Sequence, residues 1–338
     1  MSVFEDKVVS LAHGNGGRYM RELITEIFAR HLGNPELDVC TDAAALTLPE
    51  GLVPMTTTDG FIVQPLEFPG GDIGALAVHG TVNDLSVSGA TPLYLTLNAL
   101  IEEGLDLHLL DRLVASLGKA AKAAGVRVVA GDTKVVPRGS GGGLYLASTG
   151  IGVRDAKLKL GLDQIRPGDA VLVSGPVGDH GIAVLLARED FDLKGDVRSD
   201  SASVAPLTRA LLPLQGLRFM RDPTRGGLAM VCNEIAQGAG VQLCLDEAAI
   251  AVRDPVRSVC DMLGYDPLYL ACEGRVVALI DAGQAKEALA LWQGIPGGEQ
   301  AALIGTVARG QPRVIVKTPI GGERVLEELE DDPLPRIC

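Results

Sequence analysis

The chain has 338 residues, 47% of them apolar and 22% charged, which is enough for two cores and excludes wholesale disorder. A net charge of -13 argues against nucleic acid as a principal partner, because phosphate contacts need clustered Lys and Arg. "MSVFEDKVVS" has no basic segment leading into an apolar one, and no apolar run reaches the length of a membrane span. A cytoplasmic protein without a membrane partner is therefore expected.

After "LAHGNGG", the stretch "RYMRELITEIFARHL" sets Met20, Leu23, Ile24, Ile27 and Phe28 at helical spacing and predicts an amphipathic helix. "LVPMTTTDG" and "PLYLTLNALI" predict strands, with "DIGALAVHGTVNDLSVSG" as a helix between them. "DLHLLDRLVASLGKAAKAAG" predicts a further helix ended by Gly125, and it feeds "VRVVAGDTK", a buried strand running into a turn. Beyond the loop "PRGSGGG", "LYLASTGIGV" predicts another strand. This alternation implies an α/β or α+β domain over residues 1–155.

A second, α+β domain is expected over 160–318. There "RPGDAVLVSGPVGDHG" predicts a turn, a strand and a glycine-rich bend before the helix "IAVLLARE". "RDPTRGGLAMVCNEIAQGAG" repeats bend and helix, while "GRVVALIDAG" and "QAALIGTVARG" predict strands. Residues 319–338 turn acidic and proline-rich and predict a flexible C-terminal tail. Cysteines 40, 232, 244, 260, 272 and 338 form no C-x-x-C pair, so buried structural thiols are expected. Cys338, on the tail, is the exception, open to reaction or oxidation.

No P-loop and no G-x-G-x-x-G after a strand is present. The chain offers instead aspartates at predicted strand ends and glycine turns: Asp42, Asp59, Asp84 and Asp132. Each suits turn capping; together they also suit Mg²⁺, which takes one or two carboxylates and shares the phosphates of a nucleotide. Lys134 is either a solvated surface charge or a partner for phosphate. His13, Gly14 and Gly16 lie in "HGNGG", either a plain loop or a backbone cradle for phosphate. "GPVGDHG" and "DPTRGG" each precede a helix and offer an anion site, or close packing of the helix start. Glu273 in "LACEGRV" reads as a ligand contact or a salt-bridge partner. The residues alone point to an enzyme that uses ATP and Mg²⁺.

Taken in order, "LAHGNGGRYM", "PGGDIGALAVHGTVNDLSVSGATPLYL", "GDTKVV", "SGPVGDHGIA", "DPTRGGL", "LGYDPLYLACEG" and the final "LPRIC" closely resemble the hydrogenase maturation HypE family. That family is related to aminoimidazole ribonucleotide synthetase, selenophosphate synthetase and thiamine-phosphate kinase. The resemblance implies a two-domain aminoimidazole ribonucleotide synthetase-like fold, in which the N-terminal strands join those of a second copy to make a homodimer. It implies that a carbamoyltransferase, HypF, loads a carbamoyl group on Cys338. ATP then drives its dehydration to a thiocyanate, and the cyano group passes to hydrogenase iron on a HypC–HypD scaffold. By matching motifs, Asp42, Asp59, Asp84 and Asp132 are the metal and nucleotide acids, and Lys134 and Glu273 serve the dehydration. Asn15 and Cys272 stand where the family often has Ser and Asn. A selenophosphate synthetase would place a reactive Cys in "HGNGG", which has none. A scaffold docking through "PLPRIC" is the other alternative.

Overall fold

The computed structural model describes residues 7–188, 196–330, 334 and 337. Their contacts divide into two compact units, one holding residues up to 85 and 90–156, the other 86–89 and 157–337.

In the first unit, helix α1 covers residues 18–32, with a wider turn over Ile24–Ala29. It buries Leu23, Ile27, Phe28 and Leu32, the face its spacing predicts. Strands β1 (Leu52–Phe61), β4 (Thr91–Glu102), β5 (Arg127–Val136) and β6 (Leu144–Asp155) form one sheet in the order β1-β6-β4-β5. Only β4 and β5 run parallel; between them passes α3 (Leu107–Ala124), the crossover that parallel neighbours require. A two-strand hairpin, β2 (Glu67–Phe68) and β3 (Gly71–Asp72), leads into α2 (Ile73–Val87).

The ends of α3 follow from its flanks. Asp106 Oδ1 accepts from the Leu109 amide at 2.8 Å, and Gly125 closes the other end at φ 72°. Between them Leu107, Leu110, Leu113, Val114 and Leu117 are buried at helical spacing, each side chain contributing about 1.5–3 kcal/mol by its removal from water. Helix α2 crosses α3 closely because Gly74 has no side chain, since a Cβ there would lie 2.1 Å from the Leu113 carbonyl oxygen. "GDTK" does not turn as expected. Strand β5 continues through it to Val136, because β4 runs alongside and pairs Asn98 with Asp132 and Leu100 with Lys134.

The second unit is built on a seven-stranded sheet in the order β13-β12-β9-β11-β7-β10-β8. Its strands are β7 (Ala170–Val173), β8 (Leu217–Arg221), β9 (Gln242–Asp246), β10 (Val277–Ile280), β11 (Ala302–Ala308), β12 (Arg313–Lys317) and β13 (Glu323–Val325). Helices α4 (Asp179–Ala187), α5 (Ala205–Leu211), α6 (Gly227–Ala239), α7 (Asp254–Leu263) and α8 (Ala285–Gln293) complete it. Strands β7 and β10 are buried on both faces. Val171, Val173, Val277 and Leu279 join α6 in one core, while Ala170, Leu172, Ala278 and Ile280 join α5 and α8 around Trp292 in the other.

The expected tail begins too early at 319. Strand β13 pairs with β12, Leu326 is fully buried, and its carbonyl accepts from Asn233 Nδ2 at 3.0 Å. Farther along, Leu334 and Ile337 are also buried rather than exposed. Of the five described cysteines, all free, Cys232, Cys260 and Cys272 are buried as expected, Cys244 is half-buried and Cys40 is exposed. Among the described residues, no helix is long and apolar enough to cross a membrane.

Candidate active site

The first unit gathers its acids in two places. Thr57 and Asp59 lie two apart on β1, so their side chains share the face that meets α2. Thr57 Oγ1 donates to Asp84 Oδ2 at 2.8 Å. Asp59 lies over Gly80, where a Cβ would stand 3.6 Å from its Oδ2. Gly80 and Asp84 are about one helical turn apart on α2, so Asp59 and Asp84 both lie along the same stretch of the β1–α2 contact. Asp84 is thus a helix residue, not a strand-end one.

The register puts Asp132 on the other side of the sheet. Asp59 shares its cross-strand row with Ser148 and Leu97, whereas Asp132 shares the next row with Asn98 and Ala147. Lys134, two residues on, projects to the same side, and its Nζ meets Asp132 Oδ2 at 2.5 Å. That hydrogen bond chiefly holds the Asp132 carboxyl below the usual carboxylate range. Asp42 and Asp132 border a cavity of about 160 Å³ between α1, the segment 37–44 and β5. The four aspartates do not converge as one set: Asp59 joins Asp84, and Asp42 joins Asp132. Among the described residues no three His, Cys, Asp or Glu side chains cluster to hold a metal.

His13 is buried, and its Nδ1 lies 2.9 Å from Ser10 Oγ. Gly14 approaches β5 so closely that a Cβ would lie 2.8 Å from that of Val135. Gly16 and Gly17 have φ of 75° and 97°, the left-handed backbone that glycine adopts without strain, and Gly17 leads directly into α1. The loop is therefore anchored at His13 and at Gly14, which packs on Val135, the β5 residue after Lys134.

In the second unit Glu273 is buried just before β10. Its amide and that of Gly274 donate to Asp200 Oδ1 and Oδ2 at 3.1 and 3.3 Å. Gly274 permits this, because a Cβ would lie 1.9 Å from the Asp200 carbonyl oxygen. Arg275 bridges two buried carboxylates, Asp200 at 3.3 Å and Asp179 at 3.5 Å, and also donates to the carbonyls of Pro176 and Gly297. Arg253 reaches Asp179 at 3.3 Å from a more exposed position. Burial, with the charge of Asp200, pushes the Asp179 carboxyl up to about 6 against the pull of both arginines. Next to it, His180 has Nδ1 2.7 Å from Ser199 Oγ and Nε2 2.8 Å from the Ile337 carbonyl oxygen. Cys338 lies outside the described residues.

At "GPVGDHG" this cluster occupies the place of the anion-site alternative. The α4 start is filled by its own Asp179, and the Gly178 amide is taken by Cys272 Sγ at 3.2 Å. At "DPTRGG" the packing alternative holds, since a Cβ on Gly227 would lie 2.5 Å from the Leu270 carbonyl oxygen. Asp179, His180, Ser199, Asp200 and Arg275 were not among the predicted site residues. Asp179 and His180 carry their signal in "GDHG", Ser199 and Asp200 in "SDSAS" and Arg275 in "LACEGRV", but the linear sequence gives none of them a partner.

The fold and these motifs define a class. Family models for AIR synthase related proteins match residues 40–154 with the N-terminal domain and 166–317 with the C-terminal domain. Carbamoyl dehydratase HypE of Azotobacter vinelandii is 48% identical over 332 residues, 98% of this chain and 97% of that protein. A crystal structure of hydrogenase maturation protein HypE in complex with ATP superposes at a TM-score of 0.92 with 46% identity, covering 97% of this chain and 99% of that one. A HypE–HypF complex aligns at 0.79 with 42% identity, covering 91% and 99%. The chain belongs to the HypE family of hydrogenase maturation proteins.

Proposed function

We propose that this chain is a carbamoyl dehydratase that uses ATP to convert an S-carboxamide on its own Cys338 into a thiocyanate, for the cyanide ligands of [NiFe]-hydrogenase iron. The observation that carries the reading is a set of hydrogen bonds meeting at the adjacent residues Ser199 and Asp200. The carbonyl before Cys338 is held by His180, whose partner Ser199 adjoins Asp200, which in turn holds the amide of Glu273. The C-terminal end and the buried carboxylate thus share one framework.

The amide oxygen of S–C(O)NH₂ is a poor leaving group. Its attack on the γ-phosphorus of ATP, with loss of one N–H proton, releases ADP and makes a phosphate ester of the imidic acid. Glu273 takes the remaining N–H proton, the C–O bond breaks, and phosphate leaves S–C≡N; general-base help of this kind is worth about 10²–10⁴ in rate. Lys134 offers its ammonium to the transferred phosphoryl oxygens. The paired Asp59 and Asp84, hard oxygen donors beside the Thr57 hydroxyl, fit a Mg²⁺ that needs one or two carboxylates and shares nucleotide phosphates. Bound there, Mg²⁺ supplies charge compensation for the phosphates. Asp42 and Asp132, with the anchored loop of His13, Gly14 and Gly16, complete the nucleotide contacts in this reading.

HypF is the carbamoyl donor partner, as the HypE–HypF complex of a 42% identical relative supports. The HypC–HypD scaffold is the acceptor, and the protein works in the cytoplasm as a homodimer in which the strands of the four-stranded sheet join those of a second copy. Mass spectrometry of the C-terminal peptide tests the whole. After incubation with the carbamoyltransferase, carbamoyl phosphate and ATP, it should gain a carbamoyl group and then lose one water. A peptide that stays unmodified, or is modified at a residue other than Cys338, would overturn the reading.

A further inference from the structure

The framework that carries the proposed function contains a group with no part in the bond-making steps. We propose that His180 is a positioning residue: its Nε2–H grips the Ile337 carbonyl and seats the C-terminal segment for the reaction. The inference rests on Cys338 being the carrier and deepens that reading.

The tautomer follows from the partners. A carbonyl oxygen has no proton to give, so the contact of 2.8 Å requires a proton on Nε2. Burial holds the ring below the usual histidine range, against the opposing effects of Asp200 and the Ile337 carbonyl. In that neutral ring Nδ1 is an acceptor, and the Ser199 hydroxyl donates to it at 2.7 Å. Ser199 Oγ itself accepts from the Ser201 amide at 3.0 Å, which leaves its own proton for the imidazole. The ring is thus fixed at both nitrogens.

A second contact supports the seat. Gly181 follows His180 on α4, and a Cβ there would lie 3.6 Å from Leu334 Cδ1 and 3.2 Å from Leu270 Cβ. Leu334 and Ile337 are both buried, so the segment is held by two apolar side chains and one directed hydrogen bond. The gripped carbonyl belongs to the peptide bond that joins Ile337 to Cys338. Only the backbone φ and the χ1 of Cys338 separate that peptide plane from the sulfur. A fixed plane one residue from the reacting group provides the kind of orientation that lowers a barrier.

The test uses the unmodified full chain without ATP. Carboxypeptidase Y removes residues from the C-terminus only when it is released, so the trimming rate followed by intact mass reports the unseated fraction. His180→Ala leaves a buried carbonyl unpaired when the segment is seated and should speed trimming about fivefold to hundredfold. His180→Gln keeps a donor near the Nε2 position and should return most of the protection. Leu334→Ala alters only the segment, leaves the folded body intact and should also speed trimming. Wild-type trimming in both His180→Ala and Leu334→Ala would overturn the proposal, as would failure of His180→Gln to protect better than His180→Ala when both fold. In a single turnover of carbamoylated chain, His180→Ala should slow nitrile formation with Mg-ATP affinity unchanged. Trimming needs no carbamoyl group, so a wild-type chain that never loads one would refute the carrier reading while leaving the trimming comparison to judge the seat.

Discussion

The two units hold charge in opposite ways. Asp132 and Lys134 pair with side chains 54% and 58% exposed, whereas Asp179, Asp200 and Arg275 interlock with 0%, 1% and 7%. An exposed pair stays hydrated and exchanges partners at little cost, which suits the nucleotide contact proposed for it. A buried set is fixed by what it would lose if any member left, which suits a framework that must keep one geometry.

The sharpest test of this contrast is chemical. Glu273→Gln keeps the volume and the amide contacts to Asp200, so the fold and ATP binding should survive while nitrile formation slows about 10²–10⁴-fold, equivalent to about 3–5 kcal/mol in the barrier. The S-carboxamide should then accumulate on the C-terminal peptide, one water heavier than the nitrile. Wild-type thiocyanate formation would make Glu273 structural. Arg275→Ala should cost about 3–5 kcal/mol of stability, because it strands two buried carboxylates. Urea titration reads this, and an unchanged midpoint would mean the cluster relaxes as freely as a surface.

A pH series probes the same framework. The Asp179 carboxyl is raised to about 6 from 3.8. Between about pH 4 and 6 the folded chain therefore keeps a proton that the unfolded chain has lost, and this group's contribution to stability falls as pH rises through that window and is level above it. Asp179→Asn should flatten this slope in melting temperature against pH; the same slope in the variant would assign it to another group. The smallest effect belongs to the exposed pair. Lys134→Ala should change stability by no more than about 1 kcal/mol while weakening Mg-ATP binding in calorimetry. A large loss of stability would erase the distinction between the units.

Local signals made much of the fold legible. The apolar spacing, Asp106 and Gly125 define α3 without any tertiary partner, and the uninterrupted apolar runs of β7 and β10 announce strands buried on both faces. Strands β8, β9, β12 and β13 show no such uninterrupted run, because charged residues break or flank them, and β9 and β12 become strands by pairing with each other in parallel across a long separation. The site divides similarly. Asp59, Asp84, Asp132 and Lys134 sit in recognisable glycine- and threonine-rich motifs, but which acids face each other depends on strand register. Asp179, Asp200 and Arg275 come together from the first turn of α4 and two separate loops, and no local pattern announces an ion cluster assembled that way.

Strand β13 also sets the length of a leash. When the seat at Leu334 and Ile337 lets go, buried Leu326 and the Glu327 carbonyl, which accepts from Tyr269 Oη at 2.8 Å, still tie the chain down as far as Glu327. The eleven residues that follow can span at most about 40 Å, shorter than the tail expected from residue 319 would allow. A short leash confines its cargo to a small volume and so raises its effective concentration, into the millimolar range for flexible linkers of this length. On the proposed reading, lengthening the segment after Glu327 would dilute Cys338 relative to the groups that act on it while widening the circle within which another protein can meet it.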